Sequence, residues 1–285
     1  MVDVSVIMPA FNEAGRIQQQ LNALRGQCTQ ADWELLVVDN GSSDDTAAVA
    51  AQWFRNHPEV TGRAVDGSSR RGPCAARNIG AEAARGDLLL FCDADDEADP
   101  GWIEGMVAAL GSNRYVGGPL AFDRLNSLEL ITSRLNNFPA TNPAAHHSGP
   151  DYVISANMGI AASLYRAVGG MDETLVTAAW DDVDLSWRIY AAGERPSAAA
   201  AVMQYRFRAN PKALLQQQRN YGRGEAIMRR KWPQHFERFE LRQQLFGLTK
   251  DSLRSVKHRG TPGGSQLRQA AAYRMAMLRT YLTTR

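Results

Sequence analysis

Four carboxylates, Asp93, Asp95, Asp96 and Glu97, crowd into five consecutive positions directly after the apolar run 88–92. Like charges at this spacing repel each other and retain protons unless a cation neutralises them. Hard oxygen donors in a short loop suit Mg2+ or Mn2+, ions that keep waters and share a substrate's phosphates. An acidic surface turn ahead of the helix that Pro100 opens would look the same, and both readings stand at this point. A second acidic pair, Asp181 and Asp182, opens a helical stripe made by Leu185, Ile189 and Ala192 and closed by Gly193. Aspartate is a favoured N-cap and suits the positive end of a helix. Such a carboxylate is also suited to take a proton from an acceptor hydroxyl. Capping does not explain Trp180, which precedes the pair on a loop.

The elements that must position these acids follow from periodicity. A short apolar run between Gly86 and a polar cluster reads as a sandwiched parallel strand, and ligands of open α/β sheets sit beyond such strand ends. Residues 2–8 form a first strand that stops at Pro9. Ile17, Leu21 and Leu24 recur at helical spacing, and 33–38 is a second strand ending at Asp39. An acid at a strand end in such a sheet commonly bonds a ribose or base. Ser43 or Asp44 caps a helix carrying Val49, Trp53 and Phe54, and 61–65 is a weaker third strand. Pro73 opens an alanine-rich helix to Arg85, and Pro100 opens another that ends near Leu110. This alternation predicts a mostly parallel sheet with helices on both faces and right-handed crossovers.

Beyond Tyr115 the alternation breaks. Residues 136–150 are rich in Pro, Asn, Gly and His, and a loop of that length is usually functional or disordered. His146 and His147 are adjacent, do not point together, and read as solvated loop residues. Residues 151–156 read as a strand, 157–159 as a turn, "SLYRAVGGMDET" as a short helix and 198–207 as a last strand. A long polar helix over 212–230 leads into a mostly helical remainder, broken near "RGTPGG". The stripe Leu267, Ala271, Leu278 and Tyr281 fits core or dimer packing better than membrane insertion.

The chain of 285 residues has a net charge of only +2, but the charge is unevenly placed. Through Tyr205 there are 14 Lys/Arg against 26 Asp/Glu; after it there are 18 against 4. A basic tail of this kind meets an anionic partner such as membrane headgroups, or docks on the acidic first part. Cys28, Cys74 and Cys92 carry no zinc spacing and read as reduced thiols of a cytoplasmic protein. No signal peptide is expected, and no apolar run is long enough to span a bilayer. The absence of GxGxxG after the first strand, and of a Walker loop, makes dinucleotide enzymes and P-loop NTPases poor fits.

Taken together, "VSVIMPAFNEA", "ELLVVDNGSSDDT", "CAARNIGAEAARGDLLLFCDADD" and "GGMDETLVTAAWDDVDLSWRIYAAG", in this order, resemble a family 2 inverting glycosyltransferase with the GT-A fold, a Rossmann-like α/β arrangement. The resemblance runs from Val4 to about Gly193. It implies a nucleotide-sugar-binding half over 1–115 and an acceptor-binding half over 116–210; the charge count and helical pattern add a basic helical region over 211–285. It implies that Pro9, Ala10, Asn12 and Glu13 lie along the nucleotide, that Asp39 holds the base, and that Arg77 and Asn78 border the pocket. Asp93 and Asp95 match the DxD motif, with Asp93 toward the ribose or a metal-bound water and Asp95 on Mn2+ or Mg2+. Asp182 matches the catalytic base of the "ED" motif; Asp181 stands where the family has Glu, which leaves open which of the pair acts. Gln204 and Tyr205 occupy the place where many members carry a metal- or phosphate-contacting His, so no such ligand is expected. The QxxRW signature of processive polymerases is broken by Asn220, which favours transfer of a single sugar; UDP is expected as the family's commonest nucleotide, and a hexose as the sugar. A nucleotidyltransferase would need a Gly-rich basic loop after the first strand; a non-catalytic nucleotide-sugar-binding protein would not need all three of Asp93, Asp95 and Asp182. Nucleic acid is not an expected partner.

Overall fold

The computed structural model describes residues 2–134, 139–175, 179–258 and 260–283. The chain forms two compact units, one of residues 1–146, 150–176 and 181–207, the other of 147–149, 177–180 and 208–285.

The first unit runs β1 (Val4–Ala10), α1 (Ile17–Arg25), β2 (Trp33–Asp39), α2 (Thr46–Asn56), β3 (Gly62–Asp66), α3 (Pro73–Ala83), β4 (Leu88–Cys92), β5 (Glu97–Ala98), α4 (Trp102–Leu110), β6 (Tyr115–Gly117), β7 (Leu120–Ala121), α5 (Leu128–Arg134), β8 (Asn157–Ala161), α6 (Ala162–Ala167), α7 (Asp181–Ala191), β9 (Ser197–Ala198) and β10 (Met203–Gln204). Seven strands make one sheet in the order β3-β2-β1-β4-β8-β6-β9, and β5, β10 and β7 make a second. Pairing is parallel through β3, β2, β1 and β4, while β8 runs antiparallel to both its neighbours. The strands are apolar on both faces because both are covered. Val4, Val6 and Met8 join Ile17, Leu21 and Leu24 in one buried cluster. On the other face α3 comes so close that a Cβ on Gly80 would meet Ile7 Cγ2 at 2.4 Å. Helices on both faces of a mostly parallel sheet are thus present, as the alternation predicts.

Four local expectations are corrected. β1 does not stop at Pro9, which pairs with Val38; the pairing with β4 ends earlier, at Ile7 and Phe91, so the missing N–H breaks no bond on that side. Residues 151–156 are not a strand, and the supposed turn 157–159 begins β8. Gly159 is there for packing, since a Cβ would meet Val116 Cγ2 at 2.9 Å. Asn157 is buried for bonding: it accepts from Trp102 Nε1 at 2.6 Å and donates to the Pro119 and Ala201 carbonyls. The strand expected over 198–207 is instead two short ones, because the chain leaves the large sheet after β9 and enters the small one at β10. His146 is not simply solvated; its ring lies edge-on to Trp187 at 5.0 Å. Of the loop 136–150, residues 136–138 lie outside the described residues.

The second unit holds α8 (Pro211–Lys231), α9 (Leu241–Lys257) and α10 (Pro262–Thr283). Asn210 caps α8, its carboxamide oxygen accepting from the Lys212 and Ala213 N–H groups. Ala276, Met277 and Leu278 of α10 are buried, so that part of the final stripe is core. Trp180 belongs to this unit, with φ of 70° and its indole N–H on the Tyr221 carbonyl at 3.0 Å. No helix among the described residues is long and apolar enough to cross a membrane.

Candidate active site

The strand order places β1 between β2 and β4, so the path of the chain reverses at the β1–β4 boundary, where open α/β sheets form their binding crevice. Asp39 ends β2 opposite Ala10 of β1, and Asp93 directly follows β4 on the other side of β1. Two strand spacings separate them, about 10 Å. Asp39 Oδ2 accepts the Ser42 N–H at 3.2 Å, while Oδ1 is buried with no hydrogen-bond partner among the described residues. A buried acceptor left unpaired invites a ligand donor.

The loop after β1 is held by the loop after β2. Asn12 adopts φ of 57°, a conformation Asn tolerates better than most residues, and its side-chain oxygen accepts from the Ser43 N–H. The Asn12 N–H donates to Ser42 Oγ and the Glu13 N–H to Thr46 Oγ1. Asp44, rather than capping α2 from the N-cap position, accepts from the Thr46 and Ala14 N–H groups. Pro9 and Ala10 therefore lie within β1 at the crevice edge, and Asn12 and Glu13 shape its loop.

Arg77 of α3 brings the two acidic clusters together. It is 4% exposed, and it donates through Nη2 to Asp93 Oδ1 at 2.7 Å and through Nη1 to Asp181 Oδ2 at 3.4 Å. Burial works against the Arg77 charge, but Asp93 and Asp181 outweigh it and raise its pKa. Asp181 and Asp182 begin α7, and Asp182 Oδ1 accepts the Val183 N–H at 2.8 Å. Asp181 is buried, whereas Asp182 keeps part of its surface open. Burial, then repulsion from Asp181, raises the Asp182 carboxyl to about 7. Burial also raises Asp181, against the pull of Arg77.

Asn78 stands next to Arg77 but is fully engaged elsewhere. Its amide nitrogen donates to the Met171 carbonyl and Glu173 Oε1, and its oxygen accepts from Tyr165 Oη and the Met171 N–H. It clamps the 165–173 segment.

Two residues that sequence reasoning missed fix the acidic turn after β4. Gln20, buried on α1, donates to the Asp93 carbonyl at 3.2 Å and accepts the Ala98 N–H at 2.8 Å. Its signal was legible as a polar residue inside the apolar stripe of Ile17, Leu21 and Leu24. Arg206 donates its N–H to Asp96 Oδ1 and its Nε to the Asp95 carbonyl, both at 2.8 Å. Asp96 is 1% exposed, its Oδ2 has no hydrogen-bond partner among the described residues, and burial, then Asp95 and Asp93, raises its pKa well above the usual carboxylate range. Asp96 thus braces the turn from within, while Asp93 and Asp95 stand at its partly exposed face.

Among the described residues no three His, Cys, Asp or Glu side chains converge as a closed metal cage. A pair of partly exposed carboxylates, Asp93 and Asp95, fits the other mode of binding, in which Mg2+ or Mn2+ takes one or two protein oxygens and completes its shell with phosphates and water.

Residues 5–161, more than half of the chain, match the model of the family described as Glycosyl transferase family 2. The pre-mycofactocin glycosyltransferase of Mycobacterium tuberculosis is 32% identical over 206 residues, 68% of this chain and 40% of that protein. Glycosyltransferase AglE of Haloferax volcanii is 38% identical over 122 residues, 42% of this chain and 40% of that protein. The chain thus spans about 40% of the length of these curated relatives. Among solved structures, the mannosyltransferase PcManGT of Pyrobaculum calidifontis, in complex with GDP-Man and Mn2+, superposes with a TM-score of 0.58 at 20% identity, covering 98% of this chain and 72% of that one. S. aureus TarS 1-349 in complex with UDP-GlcNAc gives 0.56 at 16% identity, covering 96% and 90%. At these identities the likeness is one of fold, the GT-A fold.

Proposed function

The chain belongs to glycosyltransferase family 2, and from that premise we propose that it is a metal-dependent inverting enzyme that moves a single hexose from a nucleoside-diphosphate sugar to an acceptor hydroxyl. The observation that carries this reading is the joining of Asp93 to Asp181 through the buried Arg77, with the partly open Asp182 next in the chain. One arm of that cluster suits the donor's diphosphate; the other suits a proton acceptor.

Asp39 Oδ1, a buried acceptor at the end of β2 with no partner among the described residues, is suited to an N–H of the nucleobase. Pro9, Ala10, Asn12 and Glu13 line the same loop, and Asn78 acts through the segment it clamps. Asp93 and Asp95 would hold a divalent cation, which would neutralise charge developing on the leaving diphosphate. Asp182 removes the acceptor hydroxyl proton as the oxygen attacks the anomeric carbon from the face opposite the leaving group. A C–O bond forms to the acceptor, the C–O bond to the phosphate breaks with its electron pair, and the configuration inverts. Asp181, paired with Arg77 and buried, is the poorer base of the two because less of it is open to an acceptor. Broken QxxRW spacing at Asn220 supports one transfer per acceptor.

Incubation with Mn2+ or Mg2+ and a panel of UDP- and GDP-sugars, UDP-hexoses first, tests the reading. Slow, metal-dependent release of the nucleoside diphosphate is expected. Pyrophosphate release from a nucleoside triphosphate, with none from any nucleotide sugar, would instead mark a nucleotidyltransferase.

A further inference from the structure

Helix α9 carries its apolar side outward. Successive residues of an α-helix turn by about 100°, which gathers Leu245, Val256, Leu253 and Phe246 on one face. Val256 is 72% exposed, Phe246 71%, Leu253 68% and Leu245 47%. The opposite face is polar and packs inward: Arg274 of α10 donates to Asp251 Oδ2 at 3.0 Å and to Gln244 Oε1 at 2.8 Å, and Ser255 is buried. A surface helix ordinarily shows the reverse arrangement. Exposed apolar faces of this kind mark interaction sites.

The charges name its chemistry. Arg242, Lys250, Arg254 and Lys257 are all exposed, whereas Asp251, the one acid of α9, is turned inward and held by Arg274. Lys257 and Lys250 border Phe246 at one edge of the apolar face, and Arg242 lies within it at the N-terminal end of the helix, where a long side chain can carry its charge out to the interface. A second copy docked face to face would bring these cations together. We infer that α9 lies in the surface plane of an anionic phospholipid bilayer, with Phe246, Leu253, Val256 and Leu245 among the acyl chains and Arg242, Lys250 and Lys257 at the headgroups. Interfacial helices of this composition bind through apolar burial plus attraction to anionic lipid. The inference stands apart from sugar transfer, because lipid binding is read without turnover.

Flotation of the full chain with phosphatidylcholine vesicles containing about 30 mol % phosphatidylglycerol, against pure phosphatidylcholine vesicles, tests it. The wild type is expected to float with the anionic vesicles, and less so as salt is raised. Phe246→Ser with Leu253→Ser, and separately Lys250→Gln with Lys257→Gln, should each weaken partitioning about tenfold. Circular dichroism of both variants should match the wild type. Wild type that stays at the bottom of the gradient with anionic vesicles, or a serine variant that floats as well as wild type, overturns the inference. So does a dimer, seen by light scattering and abolished by the serine pair, in a chain that ignores vesicles. Retention on polyglutamate without flotation would give the face to an acidic protein and also overturn it.

Discussion

Asp93 and Asp181 share one guanidinium. Arg77 reaches the first at 2.7 Å and the second at 3.4 Å from a side chain only 5% exposed. The acid after β4 and the acid opening α7 are thereby locked to the same buried cation, and the geometry of the cleft depends on it. Arg77→Gln leaves Asp181 buried beside Asp182 without the guanidinium that pairs with it, a loss of about 3–5 kcal/mol for a broken buried pair. Urea unfolding should register most of that, and Arg77→Lys should restore only part, since one ammonium cannot reproduce a two-armed fork. A Gln variant within about 1 kcal/mol of wild type would show that the cation is dispensable to the fold.

The raised carboxyl of Asp182 predicts a pH limb. A base must be ionised to accept a proton, so kcat/KM should climb with pH and level off above a midpoint near 7, the value to which burial and Asp181 raise it. Asp182→Asn should flatten that limb and lower turnover by about 10²–10⁴-fold. Nucleotide-sugar affinity should stay nearly unchanged. Near-normal turnover in Asp182→Asn would remove the residue from the role of base.

Asp95 is expected to act on the donor through the cation rather than on the proton. Asp95→Asn should weaken Mn2+-dependent binding of a nucleoside diphosphate on the order of tenfold or more by calorimetry, with little change when EDTA is present in both titrations. Equal loss with and without metal would assign Asp95 to direct contact or to folding instead.

How much of this was legible in advance differs by region. The β4 strand was read at its observed ends because a Gly and an acidic cluster bracket a run too short and too apolar for a surface helix. Asp181 and Asp182 fell at the first residues of α7 for a similar reason, a stripe closed by Gly193. The joining of Asp93 to Asp181 through Arg77 was not legible, since the three residues meet only once α3, β4 and α7 are packed. Asn157 and Gly159 misled because Asn and Gly usually mark turns. Here Asn157 bridges buried carbonyls and Gly159 makes room for Val116, reasons that exist only in three dimensions. The outward face of α9 was hidden by a related ambiguity: a periodic stripe tells which residues share a side, not which side faces in.

The network at Glu34 makes a last prediction, on stability and its dependence on acid. Glu34 is fully buried on β2, and accepts from Ser5 Oγ at 2.8 Å, the Arg85 N–H at 2.8 Å, Arg85 Nε at 2.9 Å and Arg63 Nη1 at 3.2 Å. Burial alone would raise its pKa, but the Arg85 N–H, the Ser5 hydroxyl and the Arg85 guanidinium together lower it below 4.5. A lowered carboxylate contributes stability that is complete above its unfolded pKa and is lost as pH falls through the folded one. The wild type should therefore lose stability below about pH 4.5 in part through this residue, and Glu34→Gln should lose less over the same window. At neutral pH the Gln variant should cost about 1–3 kcal/mol, the range for buried hydrogen bonds. The full penalty of a broken buried ion pair does not apply, because Arg63 and Arg85 are 45% and 55% exposed and water takes up their charge. Thermal unfolding of both proteins from pH 3 to pH 7 measures the two effects together, and parallel curves would show that Glu34 titrates alike in the folded and unfolded chain.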